Sequence, residues 1–214
     1  MIRQVDIEEI SDGKLYTAND MVKADCQDCK GCSACCQGMG ESIVLTPYDA
    51  YRLVKGLGKP FQEILNAHLE LSVCDGVILP NLKMTGPKER CTFLSEQGRC
   101  TIHAYRPGIC RIFPLGRVYE NGTFRYFLQV YECQNKNRSK IKVKKWVDEP
   151  QLAKNEAFIS HWHYYLKQFQ TGGNKYFDEE QAKKISMHLL TEFYFKEYDT
   201  ERDFYEQYYE RKFL

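Results

Sequence analysis

The residues best placed to do chemistry in this sequence are its cysteines. Residues 26–36 read CQDCKGCSACC, a C-x2-C-x2-C-x2-C-C run. Two residues between thiolates let the backbone wrap a metal with its amides turned toward the sulfurs, softening the accumulated negative charge. One C-x2-C supplies half of a zinc site. Three in succession can cover three corners of a 4Fe-4S cluster, with a remote fourth ligand. Adjacent Cys35 and Cys36 diverge in extended backbone, so they suit two neighbouring sites or two edges of one cluster. A second set is dispersed: Cys91, Cys100, Cys110 and Cys133, each beside a turn signal or at the end of a strand-like run. Four local and four dispersed thiols suit two sites of four thiolates, one cluster plus a zinc, or one cluster with structural thiols. Soft thiolates in number, with few histidines nearby, favour iron–sulfur or zinc over hard cations. A structural zinc alone supplies about 10–16 kcal/mol of apparent folding free energy.

Other readings of these residues compete. A disulfide framework belongs to exported chains, and the acidic start MIRQVDIEEISDG has no apolar signal core, so a cytoplasmic setting with metal-bound thiols is expected. A thioredoxin-type redox pair needs C-x2-C opening a helix after a strand, and residues 26–36 follow no obvious strand. Cys26 and Cys74 are the weakest ligands; Cys74, in LSVCDG, reads as a buried apolar thiol at the end of a helix. His103, at C-x2-H after Cys100, reads as a hydrogen-bonding histidine rather than a ligand, and His161 and His163 as packing or surface residues. Arg106 and Arg111 flank Cys110, where their charge can offset that of thiolates; the plain alternative is a surface ion pair.

The elements that must hold these residues follow from local signals. Ser42–Thr46 reads as a short strand. Thr46, Pro47 and Asp49 open a helix that stops at Gly56 or Gly58. A second helix starts near Pro60 with Phe61, Ile64, Leu65 and Leu69 on one face. Residues 117–133 read as a hairpin about Asn121-Gly122, a type I′ pair. The Ile141–Lys144 alternation reads as a strand or an extended link. Pro150 opens a helix through Phe158, Trp162, Tyr165, Leu166 and Phe169 that ends at Gly172-Gly173. Asp178 starts another through Ala182, Ile185, Leu189 and Phe193. A third runs from Thr200 through Phe204, Tyr208 and Phe213, with Asp203 completing a capping box.

Of the 214 residues, 43% are hydrophobic and 28% charged, the balance of a globular chain. Lys+Arg is 30 against 29 for Asp+Glu, which excludes a strongly basic nucleic-acid binder, and no apolar run approaches a membrane span. No cysteine follows Cys133, whereas more than half of the aromatic residues lie from Trp146 onward. The fold class is therefore α+β. A cysteine-rich metal-binding domain with short strands, a β-hairpin and helices (1–146) precedes a helical C-terminal extension packed on it (147–214).

CKGCSACC, CTFL at Cys91, GRCTIHAYRPGICRIFP around Cys100–Pro114 and a final Cys133 resemble the YkgJ-type cysteine-cluster family, described as zinc- or iron-chelating. The resemblance covers roughly residues 26–135. It implies Cys29, Cys32, Cys35, Cys36, Cys91, Cys100, Cys110 and Cys133 as metal ligands, with Arg106, Pro107 and Arg111 as accompanying motif residues. A related branch contains flagellin lysine N-methylases. This chain, however, has no G-x-G-x-x-G turn and no C-x3-C-x2-C, since position 39 is Met. Three functions are carried forward: an iron–sulfur protein, a structural zinc module presenting a surface to a protein partner, and a protein-lysine methylase. Oligomeric state, partner and any catalytic residue stay open.

Overall fold

The computed structural model describes residues 7–27, 32–169 and 178–214. The chain opens with α1 (Ile7–Ile10), β1 (Ser11–Tyr16) and β2 (Met21–Asp25), followed after the cysteine run by α2 (Pro47–Leu57) and α3 (Phe61–His68). A middle section comprises β3 (Leu69–Cys74), β4 (Val77–Leu82), β5 (Met84–Thr85), β6 (Arg90–Cys91), α4 (Gly108–Ile112), β7 (Leu115–Glu120), β8 (Thr123–Gln129) and β9 (Ser139–Lys142). The rest is helical: α5 (Val143–Val147), α6 (Leu152–Lys167), α7 (Glu179–Leu190) and α8 (Phe204–Tyr209).

Turn chemistry lays out the sheets. Asn121 and Gly122, at φ 51° and 80°, close the expected β7–β8 hairpin, which pairs from Glu120↔Thr123 to Leu115↔Leu128. A second two-residue turn, Asp75-Gly76 at φ 49° and 95°, closes β3 on β4. Positive φ at both central residues is the type I′ requirement that matches strand twist. β1 adds to β8, giving the order β1-β8-β7, while β2 pairs with β9 and β5 with β6. Every ladder is antiparallel, and the helices gather toward the C-terminus, so the class is α+β.

Several boundaries differ from the sequence reading. Residues 42–46 make one isolated bridge, Val44↔Asn81, flanked by two backbone bonds to β4, because Pro47 already turns the chain into α2. Leu69 is buried on β3 rather than on the helix, and Cys74 ends a strand, not a helix. A strand, β2, does precede Cys26; its partner β9 lies far along the chain. α6 starts at Leu152, two residues beyond Pro150. Asp203, not Thr200, caps α8: its carboxylate accepts from Tyr205 N and Glu206 N, so no capping box forms from Thr200. Phe193 lies past α7, in a π-turn over Thr191–Phe195. Gly172-Gly173 lies outside the described residues.

α2 is capped as expected. Asp49 Oδ2 accepts from Thr46 N and Oγ1, Thr46 Oγ1 accepts from Asp49 N, and Gly58 (φ 64°) ends the helix. Gly56 serves another purpose: a Cβ there would stand 2.4 Å from the ring of Tyr105, which packs flat against the helix backbone.

Two buried cores result. The larger joins Leu53 of α2, Ile64 of α3, Leu79 of β4 and Ile102 to Phe158, Trp162, Phe193 and Tyr208 of the helical segment. The smaller gathers Val22, Leu115, Tyr126, Val143 and Trp146 from β1/β2, β7/β8 and α5. No described helix is long and apolar enough to cross a membrane.

Candidate metal centre

Three short connections bring the cysteine blocks together. Cys35 and Cys36 lie in a 3-10 turn, Ala34–Cys36, where Cys36 N donates to Ser33 O at 3.0 Å. The next residues bind the second block, through the bridge Gln37↔Arg90 and the Gly38 N to Glu89 O bond at 3.1 Å. Cys91 and Cys100 face each other across a small turn held by Leu94↔Cys100, Thr101 N to Phe93 O (2.9 Å) and Ser95 N to Arg99 O (2.9 Å). Cys110 sits on α4, whose first amide, Gly108 N, donates to Asp49 Oδ1 at 2.7 Å. The same buried carboxylate that caps α2 therefore sets the start of the helix bearing Cys110. Sequence reasoning found the cap and missed the second role, which no local signal announces.

Cys32, Cys35, Cys36, Cys91, Cys100 and Cys110 line one cavity of about 130 Å³, together with His103, Arg106 and Glu132. One water-sized sphere needs roughly 10–15 Å³, so the space exceeds that of a single small ion. Its thiols lie within one another's electrostatic reach: Cys35 and Cys91 both raise the pKa of Cys110, and Cys100 raises that of Cys91. Burial is the larger cause in each case and pushes Cys91, Cys100 and, furthest, Cys110 upward. Arg106 opposes this at Cys100 and Cys110, as its place in the motif suggested. The nine described cysteines form no disulfide. Among the described residues, no three of Cys, His, Asp or Glu already converge closely enough to hold an ion.

The remaining candidates divide. Cys29 lies outside the described residues. Cys133 is half-buried with its sulfur 4.0 Å from Asn135 O; its neighbour Glu132, rather than Cys133 itself, lines the cavity. Cys26 is buried in the smaller core and Cys74 in the larger, both away from the cavity. His103 is the hydrogen-bonding histidine expected: Arg106 Nη1 lies 2.9 Å from its Nε2, and since arginine only donates, Nε2 accepts. His161 bonds Tyr208 through Nδ1 at 2.8 Å, and His163 stacks on Tyr119 at 3.6 Å, so both pack the fold.

Arg111 corrects the surface-pair reading. It is buried, donating to Glu149 Oε2 at 2.7 Å, and Glu149 is buried too. Tyr48 Oη donates to both Glu149 oxygens at 3.1 Å. This triad links α4, immediately after Cys110, to α2 and to the start of the helical segment.

A family model described as a zinc- or iron-chelating domain, named for its CxxCxxCC motif, matches residues 28–144, more than half of the chain. The chain belongs to this CxxCxxCC family. Membership makes it a metal-binding protein of the zinc- or iron-chelating class, and the matched range contains every one of the eight candidate ligands and the whole cavity wall. No curated protein and no solved structure matches the chain. The donor chemistry of the cavity agrees with the family: six thiols, one imidazole and one carboxylate are a soft set suited to iron or zinc and unsuited to calcium or magnesium.

Proposed function

We propose that the CxxCxxCC domain uses the cavity between its two cysteine blocks to hold an iron–sulfur cluster. One observation carries the reading: thiols from both blocks, Cys32, Cys35 and Cys36 with Cys91, Cys100 and Cys110, line a single space larger than one ion requires. Cysteine has a single side-chain torsion before its sulfur, so staggered rotation re-aims lining thiols inward without moving the backbone. An iron–sulfur cluster, when bound, supplies one-electron chemistry whose potential is tuned by hydrogen bonding, charge and burial. The chain's own part is to position the thiols, to exclude water with Ile43, Leu82 and Phe113, and to place the Arg106 cation against accumulated thiolate charge. Reduced thiols of this kind fit a cytoplasmic setting.

Zinc is the second reading, since four of the six lining thiols would suffice to close one structural zinc site. In that case the domain is a scaffold for a protein partner. Cys110→Ser and Cys74→Ser test the placement under either metal. C110S is expected to lower bound metal severalfold, and C74S to leave it unchanged. Wild-type metal content in C110S, with loss in C74S, would refute the cavity as the site.

A further inference from the structure

His103 and Arg106 line a second cleft as well as the cysteine cavity. This cleft, of about 380 Å³, is also walled by Arg52 of α2, Arg111 of α4, Lys145 of α5, and the carboxylates Asp25 and Asp148. Its volume falls in the range of small-molecule sites. Two of its guanidinium groups are anchored on one nitrogen and unsatisfied on another. Arg111 Nη1 donates to Glu149 at 2.7 Å, while Arg111 Nη2 is buried without a partner, in a side chain only 8% exposed. Arg52 Nη2 donates to Ala104 O at 2.6 Å, with Tyr48 beneath the guanidinium, while Arg52 Nη1 is buried without a partner.

Buried charged donors are rarely left without an acceptor, and an orphan in a native structure calls for one from outside the chain. Of the two arginines, Glu149 pairs only with Arg111, and only through Nη1. Asp25 is engaged with Gln27 N and Ser139 Oγ, so it does not satisfy these nitrogens. Arg106 and Lys145 add further positive charge on the same walls. Planar guanidinium forks held in place by their own bonds are the usual reader of tetrahedral oxyanions. A carboxylate offers two oxygens, whereas a phosphate offers three or more, matching the larger number of cations.

We propose that this cleft binds a phosphate group, with the Arg52 and Arg111 guanidinium groups on its wall as the principal contacts. The inference does not depend on which metal the cysteines hold. The cleft would place a phosphorylated molecule one residue layer from the metal cavity, across His103 and Arg106.

The test uses the metal-loaded protein and calorimetric titration with inorganic phosphate, glycerol phosphate and acetate, each against sodium chloride at equal ionic strength. Saturable binding of inorganic phosphate or glycerol phosphate is expected. Tighter binding of the ester would identify a phosphorylated metabolite, and equal binding the free ion. Arg52→Lys keeps the charge and removes the spare nitrogen; it should weaken binding by about tenfold or more while metal content stays unchanged. Lys145→Ala, at the exposed rim, should weaken it severalfold and guards against misfolding of the first variant. No saturable heat beyond the salt control, acetate binding as tightly as phosphate, or wild-type affinity in both variants would overturn the proposal.

Discussion

Replacing Glu149 with Gln isolates the electrostatic strut beneath Cys110. The carboxylate accepts from Arg111 Nη1 at 2.7 Å, from Tyr48 Oη at 3.1 Å on both oxygens, and from Gln151 N at 3.3 Å. Both ionic partners are buried, so water cannot replace what the substitution removes. Glutamine keeps the shape and one acceptor oxygen and deletes the charge, leaving the Arg111 cation without its counter-ion. Breaking one partner of a buried pair costs about 3–5 kcal/mol, against a total stability of about 5–15 kcal/mol for a domain. Urea denaturation at pH 7 should therefore show a large fall in midpoint at unchanged slope. Arg111→Met with Glu149→Gln removes the charge from both sides and should be less destabilised than the two single changes summed, by about 2–3 kcal/mol. Because Arg111 follows Cys110, E149Q should also weaken metal retention during dialysis against a chelator. A cost below about 1 kcal/mol, or simple additivity in the double variant, would show that the pair does not hold α4 in place.

Asp49→Ala removes the carboxylate half of the α2 capping box and the acceptor of Gly108 N together, and should cost about 2–4 kcal/mol, the sum of a lost capping interaction and an orphaned buried amide; a cost near 1 kcal/mol in the same denaturation assay would mean the Gly108 bond contributes nothing. Burial against Tyr119 lowers the His163 pKa from 6.5 to about 4, so the unfolded chain takes up a proton there that the folded chain resists. Stability is therefore full above pH 6.5 and declines as pH falls toward 4, by about 1–2 kcal/mol after screening of this partly exposed group. His163→Phe keeps an aromatic ring on Tyr119 and should remove that share of the acid loss, seen as a smaller shift in urea midpoint between pH 7 and pH 4.5; an identical shift in both proteins would count against His163.

Features with local chemistry were legible in the sequence. Thr46-Pro47 with Asp49 announced α2, Asp178 announced α7, and Asn121-Gly122 announced the β7–β8 turn, because each signal is local. The β3–β4 hairpin carried an equally local signal in Asp75-Gly76. Leu69 masks it by continuing the helical apolar spacing of α3, which carries a helix reading on to Cys74. β2 was invisible for a different reason: its pairing with β9 joins Asp25 to Ser139, and five residues with only Val22 and Ala24 fully buried make a weak alternation. The cysteine spacing pointed to metal and to a set of candidate ligands. It did not show that Cys32, Cys35 and Cys36 share one wall with Cys91, Cys100 and Cys110 while Cys133 stands outside the lining, since that depends on α4 being tied to Asp49. Glu149, in the charged stretch before Pro150, carries no local signal of the buried counter-ion it is.

On the proposed function, the two cysteine blocks jointly hold an iron–sulfur cluster. The most direct measurement is elemental and acid-labile sulfide analysis with a visible spectrum, on protein purified without oxygen, for wild type and for Cys35→Ser and Cys91→Ser. Iron and sulfide in near-equal amounts with a broad absorption at roughly 400 nm are expected, with loss of both from either variant. Colourless protein with one zinc per chain would contradict the cluster, and metal retained in full by both variants would contradict the shared cavity.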